Sequence, residues 1–300
     1  MLRTLMLTLD GLQGPRVKRQ EERAISFIRP YVIGLAGSLY MFSVGWTKWK
    51  HRAAIVELCH HFGYHHESPE SPELPSVPIT DLVPADSLID IRAIDAVDGN
   101  VSERELIAIS RLVKHDRPKR LFEFGTFDGR TTLNMAVNAG PDAIVYTLDL
   151  PRSGVADSAS RLHPHEILYI DKPDSGERYR GSDAASRIVQ LHGDSGKFDF
   201  EQYYGSIDFV FVDASHAFAY VVNDSLHALK MIASSGGTIV WHDYGCWDGV
   251  TSALNELRKK HEQFAALASV KGTTLAVLRV PATRATRRPR QPAPRSGARL

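Results

Sequence analysis

Residues 120–129 read Arg-Leu-Phe-Glu-Phe-Gly-Thr-Phe-Asp-Gly, an apolar run followed by a loop with two glycines. Gly125 and Gly129 have no Cβ, so the backbone of this loop can bend sharply and a bulky ligand can approach it closely. A second apolar run, at 143–149, ends in Asp149. Both runs predict strands with an acid at or near the carboxyl end, and such acids suit a ligand with an amine and a ribose diol. The pattern therefore predicts a nucleoside-binding domain.

The rest of residues 85–280 alternates between strand and helix patterns, which is typical of a doubly wound, mostly parallel α/β sheet. Ser102 followed by Glu105 predicts a capping box at the start of one helix. Further strands are predicted at 188–192, 207–212 and 238–241, with a closing antiparallel pair at 264–270 and 273–280. Together these seven strands predict a Rossmann-like sheet.

Composition divides the chain into four parts. Residues 1–64 are predicted to form a helical N-terminal extension, and 65–84, with five prolines, an extended linker. The α/β domain follows at 85–280, and 281–300 is an arginine- and proline-rich tail predicted to be disordered. Although this tail has six arginines and no acid, we expect no specific nucleic-acid partner.

An uncharged segment at 31–46 lies between basic residues. Its sixteen residues fall short of the ~20 that span a bilayer, so we expect a helix buried against the domain or in a homo-oligomer contact. Association with a membrane surface is the alternative. Cys59 and Cys246 form neither a disulfide framework nor a zinc pattern, which favours a cytoplasmic protein.

Five motifs follow one another at the predicted strand ends. They are Glu123-x-Gly125-x-x-x-Gly129, Asp149, Gly193-Asp194-Ser195, Asp213-x-x-His216 and Trp241-His242-Asp243-Tyr244. In this order they resemble the class I S-adenosylmethionine-dependent methyltransferases over about residues 100–280. More narrowly, the chain is similar to the macrocin-type sugar O-methyltransferases, with a more distant likeness to catechol O-methyltransferase.

The resemblance implies where S-adenosylmethionine binds. The implied contacts, in chain order, are Glu123, Gly125, Thr126, Gly129, Asp149, Asp194 and Ser195. The glycine loop would hold the methionine part, Asp149 would accept hydrogen bonds from the ribose hydroxyls, and Asp194 with Ser195 would flank the adenine. Phe127 stands where the commoner pattern has a glycine, which disfavours the dinucleotide fingerprint.

The resemblance also implies a chemistry for the last two motifs. Asp213, Asp243 and His242 are expected to hold a divalent cation, with the two carboxylates as oxygen ligands, and Mg²⁺ is the expected ion. The cation would lower the pKa of an acceptor hydroxyl. His216 is expected to remove its proton as general base, since an imidazole titrates near neutral pH.

The acceptor is expected to be a hydroxyl of a sugar, glycan or hydroxylated secondary metabolite. Residues 150–186, between the second and third strands, form a long insertion that we expect to act as a lid or substrate loop. Two alternatives stay open. One is an NAD-dependent dehydrogenase, and the other is a non-catalytic cofactor-binding scaffold with a membrane-associated N-terminal segment.

Overall fold

A computed structural model describes residues 15–48, 51, 55, 70–97, 99–159, 166–170, 172 and 174–282. The chain forms two compact units, Met1–Ser68 and Pro69–Leu300. Nearly all of the predicted tail, 281–300, lies outside the described residues. The same is true of most of 49–69.

The first unit contains a long helix, α1 (Pro15–Ser43), followed by a short 3-10 helix at Gly45–Thr47. The helical extension predicted for 1–64 is therefore present where this unit is described. Over the described residues, α1 included, no helix has the length and apolar character needed to cross a membrane. The buried or oligomeric role expected for the segment at 31–46 stays a prediction.

The second unit is built on one eight-stranded sheet. Its strands are β1 (Ser76–Val77), β2 (Arg120–Phe124), β3 (Ile144–Asp149), β4 (Ile188–His192), β5 (Phe209–Val212), β6 (Gly237–Trp241), β7 (Ala268–Val270) and β8 (Ala276–Val280). They lie in the order β1-β7-β8-β6-β5-β2-β3-β4. Strand β8 runs antiparallel to β6 and β7, and the other neighbouring strands are parallel. The predicted Rossmann-like sheet with its closing antiparallel pair is confirmed, with one strand more than expected.

The additional strand, β1, comes from the segment that the prolines predict to be a linker. Ser76 and Val77 pair with β7, which makes β1 an edge strand of the sheet. The neighbouring prolines are tolerated there because an edge strand leaves one row of N–H groups unpaired. Leu74 and Val83 are buried. A one-turn helix, α2 (Ile79–Leu82), lies between these two residues in the sequence. From residue 70 onward this segment is thus part of the second unit, which differs from a free linker over 65–84.

Five further helices cover the sheet. They are α3 (Glu103–Asp116), α4 (Arg130–Asn138), α5 (Glu166–Ile170), α6 (Phe218–Met231) and α7 (Asp248–Lys260). The capping box predicted for α3 is present, because the Ser102 hydroxyl accepts from the Glu105 N–H and the Glu105 carboxylate accepts from the Ser102 N–H.

The core lies on both faces of the central strand β2. Phe122 and Phe124 pack into an aromatic cluster on one face with Phe200. Leu121 packs on the other face, against Leu112 and other side chains of the second cluster. Because successive strand residues point to opposite faces, a strand buried on both sides has to be apolar almost throughout. This explains the continuous apolar run in the sequence.

Arg130, the first residue of α4, is fully buried. Its guanidinium donates to the carbonyl oxygens of Ala93 at 2.9 Å, Ile94 at 2.7 Å and Val101 at 2.7 Å. Backbone carbonyls that are buried need such partners. One side chain therefore fixes the segment 93–101 against the start of the helix that follows the glycine loop.

Replacing Arg130 by Met should lower the free energy of unfolding by about 3 kcal/mol, because three carbonyl oxygens, that of the buried Val101 among them, lose a charged donor. For a domain of this size the melting temperature should fall by about 6 °C or more. The matched control is Arg92→Met, since the exposed Arg92 side chain bonds the carboxylate of Asp90, two residues away. Equal melting temperatures of the two variants in thermal unfolding would contradict the role given to Arg130.

Candidate active site

A cavity of about 450 Å³ opens at the carboxyl ends of the parallel strands. This volume is typical of small-molecule sites. Nine of the residues singled out in the sequence line it: Gly125, Thr126, Asp149, Asp194, Ser195, Asp213, His216, His242 and Asp243. Parallel strands bring their carboxyl ends to one edge of the sheet, which is why residues far apart in the chain meet here.

The glycine loop is held by contacts that exclude other residues at two positions. At Gly125, φ is 90° and a Cβ would lie 1.9 Å from the carbonyl oxygen of Asp213. At Gly129, φ is 84° and a Cβ would meet the Tyr179 ring at 2.6 Å. Gly129 therefore packs against the insertion and does not line the cavity, in contrast to its expected place at the cofactor. Phe127, between them, adopts a left-handed φ of 48°.

Glu123 lies beneath the loop, fully buried, and does not line the cavity. One carboxylate oxygen accepts from the hydroxyls of Thr132 and Thr147, the latter at 2.5 Å. Thr147 in turn contacts the Thr126 hydroxyl at 2.7 Å. Burial raises the pKa of Glu123 to about 8, despite these hydrogen bonds. The structure thus places Glu123 as a buried support of Thr126, away from the position expected for a cofactor contact.

Asp149 lies at the end of β3 with its carboxylate already engaged. The Lys172 ammonium is 2.7 Å from one oxygen, and the Ser175 hydroxyl donates to the same oxygen. Both partners come from the insertion at 150–186. The residue expected to bind the ribose is therefore paired with a lysine that also lines the cavity.

Asp194 and Ser195 form the turn after β4. The Asp194 carboxylate accepts from the Gly196 N–H at 2.9 Å and the Ala159 N–H at 2.5 Å. The Ser195 hydroxyl donates to Asp224 at 3.1 Å. Asp224 is buried in α6, and burial raises its pKa to about 7. Sequence reasoning missed Asp224, because it occurs within an apolar helical pattern.

Asp213, His242 and Asp243 come together on one rim of the cavity, with ligand atoms within 4.8 Å of one another. His242 Nδ1 lies 3.2 Å from an oxygen of Asp213 and 3.2 Å from an oxygen of Asp243. Its Nε2 faces a carboxylate oxygen of Glu105 at 3.3 Å. Two carboxylates and one imidazole are a donor set that fits a divalent cation.

His216 contacts this rim from the loop before α6. Its Nε2 is 2.8 Å from an oxygen of Asp243, and its Nδ1 is 3.3 Å from a Glu166 oxygen that also accepts from the His216 N–H. The Trp247 indole stacks on the imidazole at 4.3 Å. Burial alone would lower the pKa of His216, but the hydrogen bonds with Asp243 and Glu166 outweigh it and raise the pKa to about 9.

The described residues of 150–172 are called the front part of the insertion. Glu166 and Lys172 show that this front part reaches the cavity. With Tyr169 they line its wall, and they contact His216 and Asp149 respectively. Sequence reasoning predicted a loop over this rim but named neither residue, since nothing in the local pattern indicates their partners.

The rear part of the insertion, residues 174–186, is fixed to the glycine loop. The N–H groups of Gly176 and Arg178 donate to the carbonyl oxygens of Phe127 and Asp128 at 3.0 and 2.9 Å. The Arg178 side chain also pairs with the Asp128 carboxylate at 2.7 Å. The insertion therefore has a rear part bonded to the core and a front part that faces the cavity.

Comparison with known proteins agrees with this architecture. Residues 122–244 match a family model described as a methyltransferase domain. The match runs from β2 to just beyond β6 and includes the glycine loop and the rim residues. No curated protein matches the chain.

Several solved structures are similar in fold. The O-methyltransferase TomG from Streptomyces achromogenes, solved in complex with SAM, is 16% identical, with 65% of this chain and 92% of TomG covered and a TM-score of 0.45. The O-methyltransferase from Bacillus cereus in complex with SAH is 15% identical, with 64% and 84% covered and a TM-score of 0.43. A methyltransferase from Geobacter sulfurreducens is 14% identical, with 61% and 81% covered and a TM-score of 0.44. At these values the likeness says nothing about the substrate.

The raised pKa of Glu123 gives a pH dependence of stability. Folded Glu123 keeps its proton up to about pH 8, whereas the unfolded residue releases it above its usual value of 4.5. The free energy of unfolding should therefore fall as pH rises between these values, by up to about 1.4 kcal/mol per pH unit. In Glu123→Gln this fall should be absent, so from pH 6 to pH 8 the wild type should lose about 5 °C more in melting temperature than the variant.

Asp224 titrates in the same pH window, but it is present in both proteins and cancels in the comparison. Parallel melting curves for the wild type and Glu123→Gln across this range would show that Glu123 is ionised when folded.

Proposed function

We propose that the protein is an S-adenosylmethionine-dependent O-methyltransferase that transfers a methyl group to a hydroxyl of a sugar, glycan or hydroxylated secondary metabolite. One observation carries the proposal: a single cavity joins Asp149, placed for a ribose, to a rim that combines His216 with Asp213 and Asp243. The match of residues 122–244 to a methyltransferase domain supports the reaction class. The sugar-type acceptor follows from the motif resemblance.

The cofactor would lie across the ends of β2, β3 and β4. Gly125 and Thr126 line the part of the cavity next to the loop, where the methionine part would lie. The ribose hydroxyls would donate to Asp149. Asp194 and Ser195 line the far end, where the adenine would lie. The methyl group would then face the rim residues.

The chemistry needs a proton acceptor close to the acceptor hydroxyl. His216 lies on the rim with its Nε2 directed at Asp243. In the proposed reaction the imidazole takes the hydroxyl proton, the oxygen attacks the methyl carbon in line with the sulfur, and the carbon–sulfur bond breaks with its electron pair on sulfur. The imidazole must be neutral for this step, with one nitrogen free to accept the proton. A cation held by Asp243 would offset the charge of that carboxylate and bring the pKa of His216 down from about 9 toward the range of a general base. Bringing both reactants together supplies much of the rate.

A divalent cation would be held by Asp213 and Asp243 with His242 beside them. Bound there, it would act as a Lewis acid on the acceptor oxygen. The carboxylates supply the hard oxygen ligands that such an ion needs. Glu105 and Glu166 hold the two imidazoles of this rim in place.

The proposal predicts that S-adenosylhomocysteine binds the full chain and that NAD does not. In Asp149→Asn, affinity for S-adenosylhomocysteine should fall by about tenfold or more, because the ribose loses a charged acceptor. Isothermal titration calorimetry measures both. Asp142→Asn is the control, since this exposed acid lies just before β3 and outside the cavity lining.

Binding of NAD alone would favour the dehydrogenase alternative and contradict the proposal. Binding of S-adenosylhomocysteine without any methyl transfer would favour the scaffold alternative.

His216→Ala should reduce methyl transfer by at least about 100-fold, as expected when a general base is removed. Affinity for S-adenosylhomocysteine should stay near that of the wild type, because His216 lies on the rim away from the Asp149 end. Turnover is measured as release of S-adenosylhomocysteine with a panel of sugar and catechol acceptors. His115→Ala, at the exposed end of α3, is the matched control, and a fully active His216→Ala enzyme would remove this residue from the mechanism.

A further inference from the structure

The imidazole of His242 bridges the rim acids and the start of α3. Nδ1 lies 3.2 Å from oxygens of both Asp213 and Asp243, and Nε2 lies 3.3 Å from Glu105 Oε2. Both ring nitrogens therefore face carboxylates, one toward the cavity and one toward the protein interior. The side chains of His242, Asp213 and Asp243 are only 12 to 19% exposed, so water does not compete freely for these positions.

Glu105 is anchored so that it can orient this ring. Its Oε1 accepts from the N–H and the hydroxyl of Thr274 at 2.7 and 2.8 Å. Its Oε2 accepts from the N–H and the hydroxyl of Ser102 at 2.9 and 2.7 Å. Each of these four contacts is donated to Glu105, so the carboxylate is left as an acceptor for an N–H on His242 Nε2. In the neutral tautomer that a bound cation would require, Nε2–H therefore donates to Glu105 and the lone pair of Nδ1 faces Asp213 and Asp243.

The resulting donor set at the rim is mixed. Two carboxylates and one imidazole nitrogen converge within 4.8 Å. Mg²⁺ prefers oxygen ligands and dehydrates reluctantly, whereas imidazole nitrogen suits first-row transition metals. A carboxylate that fixes the far nitrogen of a metal-binding histidine is the usual support of such a ligand.

We propose that Asp213, Asp243 and His242 Nδ1 bind a first-row transition-metal dication such as Mn²⁺ in preference to Mg²⁺, and that Glu105 is a positioning residue for the His242 ligand. The inference rests on the proposed function, since the same rim would activate the acceptor. It revises the Mg²⁺ expected from the sequence, because the sequence names His242 as a metal residue but does not show that Glu105 faces its far nitrogen. It also gives the capping glutamate of α3 a second role.

The test uses the full chain, freed of metal and titrated separately with MnCl₂ and MgCl₂. Calorimetry should give Mn²⁺ an affinity at least about tenfold above that of Mg²⁺. Since an all-oxygen site also accepts Mn²⁺, the decisive readout is pulsed electron paramagnetic resonance of the Mn²⁺-loaded protein, which should show coupling to one imidazole nitrogen. Absence of that coupling, or equal affinities for the two ions, would overturn the proposal.

Two variants separate the ligand from its support. In His242→Asn, whose amide offers an oxygen, the nitrogen coupling should disappear and the preference for Mn²⁺ over Mg²⁺ should fall. Glu105→Gln is chosen because glutamine also suits this position of a capping box. Its Mn²⁺ affinity should fall by about tenfold, as for other residues that orient metal-binding histidines. An unchanged preference in His242→Asn would contradict the assignment of Nδ1 as ligand.

Ser102→Ala is the matched control for Glu105. It removes one donor to the same carboxylate and weakens the same helix start, but it leaves the His242 contact in place. Its Mn²⁺ affinity should stay close to that of the wild type. Equal losses in Ser102→Ala and Glu105→Gln would show that Glu105 acts only by holding the helix, which overturns its positioning role.

Binding of S-adenosylhomocysteine, measured without metal, distinguishes the two levels of the proposal. A chain that binds S-adenosylhomocysteine but shows no nitrogen-coordinated Mn²⁺ contradicts this inference and leaves the proposed function intact. A chain that shows nitrogen-coordinated Mn²⁺ but binds no S-adenosylhomocysteine supports the metal site and contradicts the proposed function.

Discussion

The contact between the glycine loop and the end of β5 is the constraint on which the site depends. A Cβ on Gly125 would lie 1.9 Å from the carbonyl oxygen of Asp213 and 3.0 Å from the Cα of Ala214. The two backbones therefore touch with no side chain between them. One backbone belongs to the loop where the cofactor would bind, and the other leads within three residues to His216. The distance between the proposed cofactor and the proposed base would thus be set by main-chain packing.

Charge is the second organising feature of the cavity. Glu105, Glu166, Asp213 and Asp243 surround the imidazoles of His216 and His242 at contact distance. Four carboxylates around two imidazoles leave the rim negative even when both rings are protonated. Such a rim attracts positive charge, which suits both a bound dication and the sulfonium of the proposed cofactor. The same excess of acid explains the raised pKa of His216.

Sequence reasoning located strand-end residues well because one rule governs them. Asp149, Asp213 and Asp243 each follow a buried strand, and parallel strands end at one edge. The rule does not say which residues lie under a loop, so Glu123 was expected in the cavity although it supports Thr126 from below. It also says nothing of contacts that depend on tertiary packing. Glu105 lies 137 positions from its partner His242, and local sequence gives only its capping role.

The division of the insertion has a consequence for how such an enzyme can diversify. Its rear part shares main-chain hydrogen bonds with Phe127 and Asp128, so substitutions there would disturb the loop that every substrate needs. The described residues of the front part contribute the side chains of Glu166 and Lys172 to the cavity wall, and the Ala159 N–H donates to Asp194. Side chains of the front part can therefore be exchanged, by evolution or by protein engineering, to suit new acceptors while the main-chain hydrogen bonds to the glycine loop stay in place.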